Sequence, residues 1–149
     1  MFQFAIFMRF LDAPQPAPLT ASAANGKELF SRIGCAYCHT PTMTSGKSSS
    51  DALSYKPLNL YSDLALHNMG LELADGIPQG NAGPAEFRTA PLWGIGKRLF
   101  FLHDGRARTL LEAIGAHQSR GSEANAVVDN FRVLTIPQKQ DVLNFLRSL

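Results

Sequence analysis

Charge is scarce in this chain. Asp, Glu, Lys and Arg make up 17% of its 149 residues, and the formal net charge is only +2. No acidic or basic run exceeds two residues, which excludes the clustered positive face that nucleic-acid binding requires. No uninterrupted apolar stretch reaches the length of a membrane-spanning helix, so no transmembrane segment is expected. The apolar start, residues 1–11 (MFQFAIFMRFL), is interrupted by Arg9 and followed by Asp12-Ala13-Pro14. That is not the positive, apolar, small-residue order of a secretory leader. Convincing period-2 alternation and internal repeats are also missing. Cysteine is limited to Cys35 and Cys38. A disulfide closing so short a loop stabilises little, so the pair reads as chemistry and not as a staple.

What is present is a hydrophobic content of 45%, enough for one globular domain. Residues 12–18 (DAPQPAP) have linker composition, which divides the chain into a segment over 1–19 and a compact domain over 20–149. The spacing predicts a helix over Ser22–Ile33, with Leu29, Phe30 and Ile33 on one face and Gly34 placed to stop it. Residues 41–57 and 70–89 lack periodicity and read as long loops. Thr109 and Glu112 form a capping-box pattern that launches a face of Leu110, Ala113, Ile114 and His117. Ser122–Phe131 is a further helical candidate. Thr135-Ile136-Pro137-Gln138 starts the last helix, which carries Val142, Phe145, Leu146 and Leu149 at i, i+3, i+4, i+7. The predicted class is all-α: a cytochrome-c-like helical domain with long loops wrapped around a cofactor.

The cofactor is read from Cys35-Ala36-Tyr37-Cys38-His39, the C-x-x-C-H pattern of c-type haem attachment. Each thiol adds to one porphyrin vinyl group, and the adjacent His falls under the iron as its proximal ligand. The expectation is one covalently bound haem c, held by Cys35, Cys38 and His39. A structural zinc site would need further ligands at close spacing, and His67, His103 and His117 stand alone in sequence. A thioredoxin-like pair would need a βαβ context, which the pattern does not offer. Because c-type haem is attached outside the cytoplasm, the motif predicts a periplasmic or otherwise extracytoplasmic protein.

A six-coordinate iron needs a second axial side chain, usually His or Met. Met1 and Met8 precede the linker, and Met43 follows the motif too closely to cross to the other face. His117, on an apolar helix face, and Met69, in a loop before Gly70, are left as the alternatives. A buried His needs a partner for its ring nitrogens, and a backbone carbonyl or an iron would each serve. His103 precedes the Asp104-Gly105 turn signal and is expected near the haem edge. Among Arg88, Arg98, Arg106 and Arg108, one or two are expected to pair with haem propionates, with Arg106 the principal candidate. Trp93 is expected to pack on the ring or to fill the core.

Seven stretches together resemble a known family: FMRFLDAP (7–14), GKELFSRIGCAYCHTP (26–41), YSDLALHNMG (61–70), LADGIPQG (73–80), EFRTAPLWGIG (86–96), LHDGRARTLLEAIGAHQ (102–118) and VLNFLRSL (142–149). The family is the bacterial di-haem oxidoreductases of peroxidase type, also described as thiol-oxidoreductase-like and related to di-haem cytochrome c peroxidases. The resemblance implies that the chain is a C-terminal haem domain and that residues 7–14 join it to an N-terminal haem domain, with any export signal in that preceding region. In the related peroxidases the helix after the HDG turn supplies the distal ligand, usually Met. The matching position here is His117, which implies bis-His ligation by His39 and His117, with Met69 as the alternative. The implied role is single-electron transfer. The rival reading is a peroxidase acting with the second haem domain, and a third is a metal-stabilised module without haem.

Overall fold

The computed structural model describes residues 2–149; Met1, part of the expected interdomain segment, lies outside them. Helices α1 (Phe2–Arg9), α2 (Ala21–Arg32), α3 (Leu110–Ala116), α4 (Asn125–Arg132) and α5 (Ile136–Ser148) are joined by long connections. Strand β1 (Met43–Thr44) pairs antiparallel with β2 (Pro57–Leu58), and β3 (Leu66–Asn68) with β4 (Glu86–Arg88). The expected all-α class is therefore wrong. The molecule is 38% helical and 10% strand, a mixed architecture with much loop. The reason is physical: strands of two or three residues are too short to show period-2 alternation, yet they pair the long segments between the helices back on themselves.

The helices follow their local signals. Thr20 caps α2 by accepting from the Ala23 amide, and Gly34, at φ 102°, ends it in the left-handed conformation. Thr109 caps α3 through the Glu112 amide, but the Glu112 carboxylate accepts from the Arg108 amide and not from the cap residue itself. Helix α4 begins at Asn125, three residues later than the pattern predicts, because the Ser122 hydroxyl serves a turn, donating to the His117 carbonyl. Thr135 and Gln138 form the complete capping box of α5.

α2 and α5 pack together as the centre of the core. Phe30 and Phe145 meet edge-on, with ring centres 5.4 Å apart, and Tyr61 packs edge-on against both. Val142 and Phe145 are each only 1% exposed, and Leu29, Ile33, Leu110, Ala113 and Phe131 complete the cluster. Burying a side chain such as Phe145 contributes about 3 kcal/mol from apolar area alone. The start of the C-x-x-C-H segment and the end of α3 both pack against this core. Residues 11–19 form no regular element; they run beside α5, with the Ala17 amide donating to the Ser148 carbonyl.

Candidate functional site

Cys35 opens a 3₁₀ turn directly after Gly34, and Cys38 closes it; both thiols are free. The chain from Cys38 to Pro41 then lies alongside residues 61–63. The Tyr61 amide donates to the Pro41 carbonyl, the Ser62 amide to Thr40 and the Asp63 amide to Cys38. Ser62 is fully buried, and its hydroxyl donates to the Thr89 carbonyl at 2.7 Å while accepting from the Leu64 amide. Tyr61 and Leu64 both adopt positive φ, at 51° and 58°, which is strained for residues with large side chains. The consequence is local: this bent segment turns the Tyr61 carbonyl toward His39.

His39 Nδ1 lies 2.9 Å from that carbonyl. A carbonyl only accepts, so Nδ1 carries the proton and Nε2 is left bare. His117, at the C-terminal end of α3, repeats the arrangement, with Nδ1 donating to the Ala113 carbonyl at 2.7 Å. Burial lowers the pKa of His39 to about 4 and that of His117 below its ordinary value. Both rings are therefore neutral at pH 7, each with one unprotonated nitrogen. Their centres lie 6.4 Å apart. A single iron between two imidazoles, at ordinary metal–nitrogen distances of about 2 Å, separates ring centres by about 6 Å. The donor set and spacing thus fit a six-coordinate haem iron.

The other predicted residues have contacts of their own. Met69 follows β3, half-buried, with its amide donating to the Ala85 carbonyl. His103 is exposed and stacks on Phe87, ring centres 4.3 Å apart. Arg106 is held by Asp104 at 2.5 Å and by the Glu72 carbonyl at 2.6 Å. Trp93 lines a cavity of about 440 Å³ with Tyr61, Phe145 and residues 12–17, and neither His39 nor His117 borders that cavity.

Sequence spacing missed one cluster. His67, alone in sequence, donates through Nε2 to Asp63 at 2.9 Å and through Nδ1 to Glu123 at 2.8 Å. Cys38 Sγ lies 3.7 Å from the same Nδ1. These partners are up to 56 residues apart, and no motif joins them. The Glu123 hydrogen bond raises the His67 pKa, and the His67 and backbone hydrogen bonds lower those of Asp63 and Glu123. The His67 contribution is complete below its unfolded value of 6.5 and is lost as pH rises through the raised folded value. The carboxylate contributions are complete above 3.8 and 4.5 and are lost as pH falls through the lowered folded values. In thermal melts of the haem-loaded chain, His67→Gln is therefore expected to destabilise most between about pH 4.5 and 6.5, with the gap from wild type narrowing on either side. A gap that does not narrow either well below or well above that range would refute the triad.

The comparisons with known proteins bear on this geometry. The family described as "Di-haem oxidoreductase, putative peroxidase" matches residues 9–149. The chain belongs to the di-haem oxidoreductase family. Among solved structures, this chain is similar to hydrazine synthase from Kuenenia stuttgartiensis, in a form pressurised with xenon. The TM-score is 0.60 and the identity 20%, over 96% of this chain. That likeness is one of fold, and the chain spans about half, 52%, of the solved chain. No curated protein matches the sequence. Membership establishes the family; ligand set, mode of attachment and activity are read from the residues themselves. No described helix is long and apolar enough to cross a membrane.

Proposed function

We propose that this chain is a c-type haem domain that takes up and passes on single electrons within a two-haem oxidoreductase. The observation that carries the reading is the facing pair His39 and His117, each with Nδ1 tied to a carbonyl and Nε2 bare, beside the C-x-x-C pair. Cys35 and Cys38 would tether the porphyrin through thioether bonds, and His39 and His117 would hold the iron through Nε2. When bound, the haem supplies a one-electron iron couple. The chain's own work is to hold the ligands and exclude water. The Tyr61 and Ala113 carbonyls fix each ring's tautomer and orientation and strengthen it as a donor. Two imidazole ligands favour a lower potential than a Met/His pair.

The family name and the single C-x-x-C-H motif together imply a second haem on a partner domain. The family description also names a peroxidase, and peroxide needs an open coordination position. With both imidazoles in place, that position belongs to the partner domain in this reading, and this chain relays electrons to or from it. In this reading, covalent attachment would call for the periplasm or another extracytoplasmic compartment.

The test is to mature the chain with haem-attachment machinery and record its intact mass and its ferric and ferrous spectra. The expected product has gained one haem and is low-spin in both states. Ferric high-spin haem that turns over peroxide would replace the relay by the peroxidase reading. A colourless product with the bare polypeptide mass would end both.

A further inference from the structure

Three arginines from separate parts of the chain line one small cavity, and no acidic residue lines it with them. Arg98, Arg108 and Arg147 border a space of about 250 Å³ whose apolar wall is Leu99, Phe101 and Leu110. We propose that this cavity binds a small monocarboxylate, with its head on the arginines and a short apolar tail on that wall. A guanidinium presents a planar fork of N–H donors that matches a carboxylate, and it stays charged at any working pH. An apolar lining with a few convergent charges is the usual form of a small-molecule site.

Backbone packing gathers the three residues. Gly96 sits against the end of α5, where an added Cβ would lie 2.1 Å from the Arg147 carbonyl oxygen. The turn that leads into Arg98 is thereby seated beside Arg147. The Phe101 amide donates to the Ala107 carbonyl at 2.8 Å, which closes the loop between them and returns the chain to Arg108. Among the described residues, none of the three guanidinium groups has a carboxylate within 4.0 Å. Arg147 donates to the neutral Asn144 at 3.4 Å, and the Glu112 carboxylate accepts from the Arg108 amide. Like charges gathered without a counter-charge repel, and an anion between them relieves the repulsion.

The site goes beyond the haem reading and does not rest on it. Cys35, Cys38, His39 and His117 do not border the cavity. Leu110 opens α3 and His117 follows its other end, about 10 Å away along the helix axis.

The experiment titrates the haem-loaded chain with hexanoate and with acetate by calorimetry, in a buffer free of other carboxylates and of phosphate. One hexanoate per chain is expected, bound about tenfold more tightly than acetate because its tail adds buried methylenes. Arg98→Gln, Arg108→Gln and Arg147→Gln should each weaken hexanoate binding about tenfold. Leu99→Ser should narrow the preference over acetate, and Arg88→Gln, on β4, should change nothing. Absence of hexanoate binding overturns the proposal. So does equal affinity for the two acids, or an effect of Arg88→Gln as large as that of the pocket arginines. Loss of covalent haem by mass, or a changed ferric spectrum, in Arg98→Gln or Arg108→Gln also overturns it, by assigning those arginines to the haem propionates.

Discussion

Replacing His117 by alanine is expected to change the spin state of the bound iron while leaving the porphyrin attached. In the haem-loaded chain, the ferric spectrum should pass from low-spin to high-spin or water-ligated, with no loss of covalent haem by mass. In the proposed arrangement attachment depends on Cys35 and Cys38, in the turn after α2, whereas His117 sits at the end of α3. Losing the imidazole therefore opens one coordination position without touching the tether. The Ala113 carbonyl that it occupied lies on the last turn of a helix, where water can take over the bond. Added imidazole should restore the low-spin form, because the vacated volume has the shape of the lost ring. A spectrum indistinguishable from wild type would remove His117 from the ligand set and transfer the role to Met69. The same measurement on Met69→Ala, with no spectral change expected, closes the comparison.

The residues that carry this prediction were unevenly legible. The C-x-x-C-H pattern, Gly34 as a helix stop and the caps at Thr109 and Thr135 are local signals, and each is visible within five residues of sequence. The apolar face of α5 is equally local. The second imidazole was harder: spacing placed His117 on a core-facing helix, but could not say that it faces His39. That contact joins residues far apart in the chain, and only the resemblance to a family singled it out beforehand. The carbonyls that orient the two rings were invisible, since backbone groups leave no mark in a sequence. The short strands escaped because β1 and β2 are two residues each, below any periodic signal. His67 shows the limit most clearly. Apart from Asp63, four residues before it, its partners come from the C-x-x-C turn and from Glu123, 29 and 56 residues away. Long-range pairing decides such a cluster, and nothing in local propensity reports it.

The other large effect is expected at Gly26, where propensity and packing predict opposite signs. Gly26 lies in the interior of α2, and alanine there should favour the helix by about 1 kcal/mol. Yet a Cβ at this position would sit 1.9 Å from the Asp141 carbonyl oxygen and 2.9 Å from the Phe145 Cβ. The first of these is backbone of α5 and has no rotamer with which to escape. The two helices are also pinned nearby, because the Ser22 hydroxyl donates to Asp141 and accepts from Asn144 at 2.9 Å. Separating them would loosen the contact between Phe30 and Phe145 that forms the centre of the core. Overpacking of this kind costs about 3 kcal/mol or more, which outweighs the gain in propensity. Gly26→Ala should therefore lower the Tm of the haem-loaded chain by about 10 °C. Gly115, in α3, is the control: a Cβ there meets nothing within 4 Å, so Gly115→Ala should hold or raise the Tm. If both variants melt together at or above wild type, α2 and α5 do not approach each other as closely as Gly26 requires.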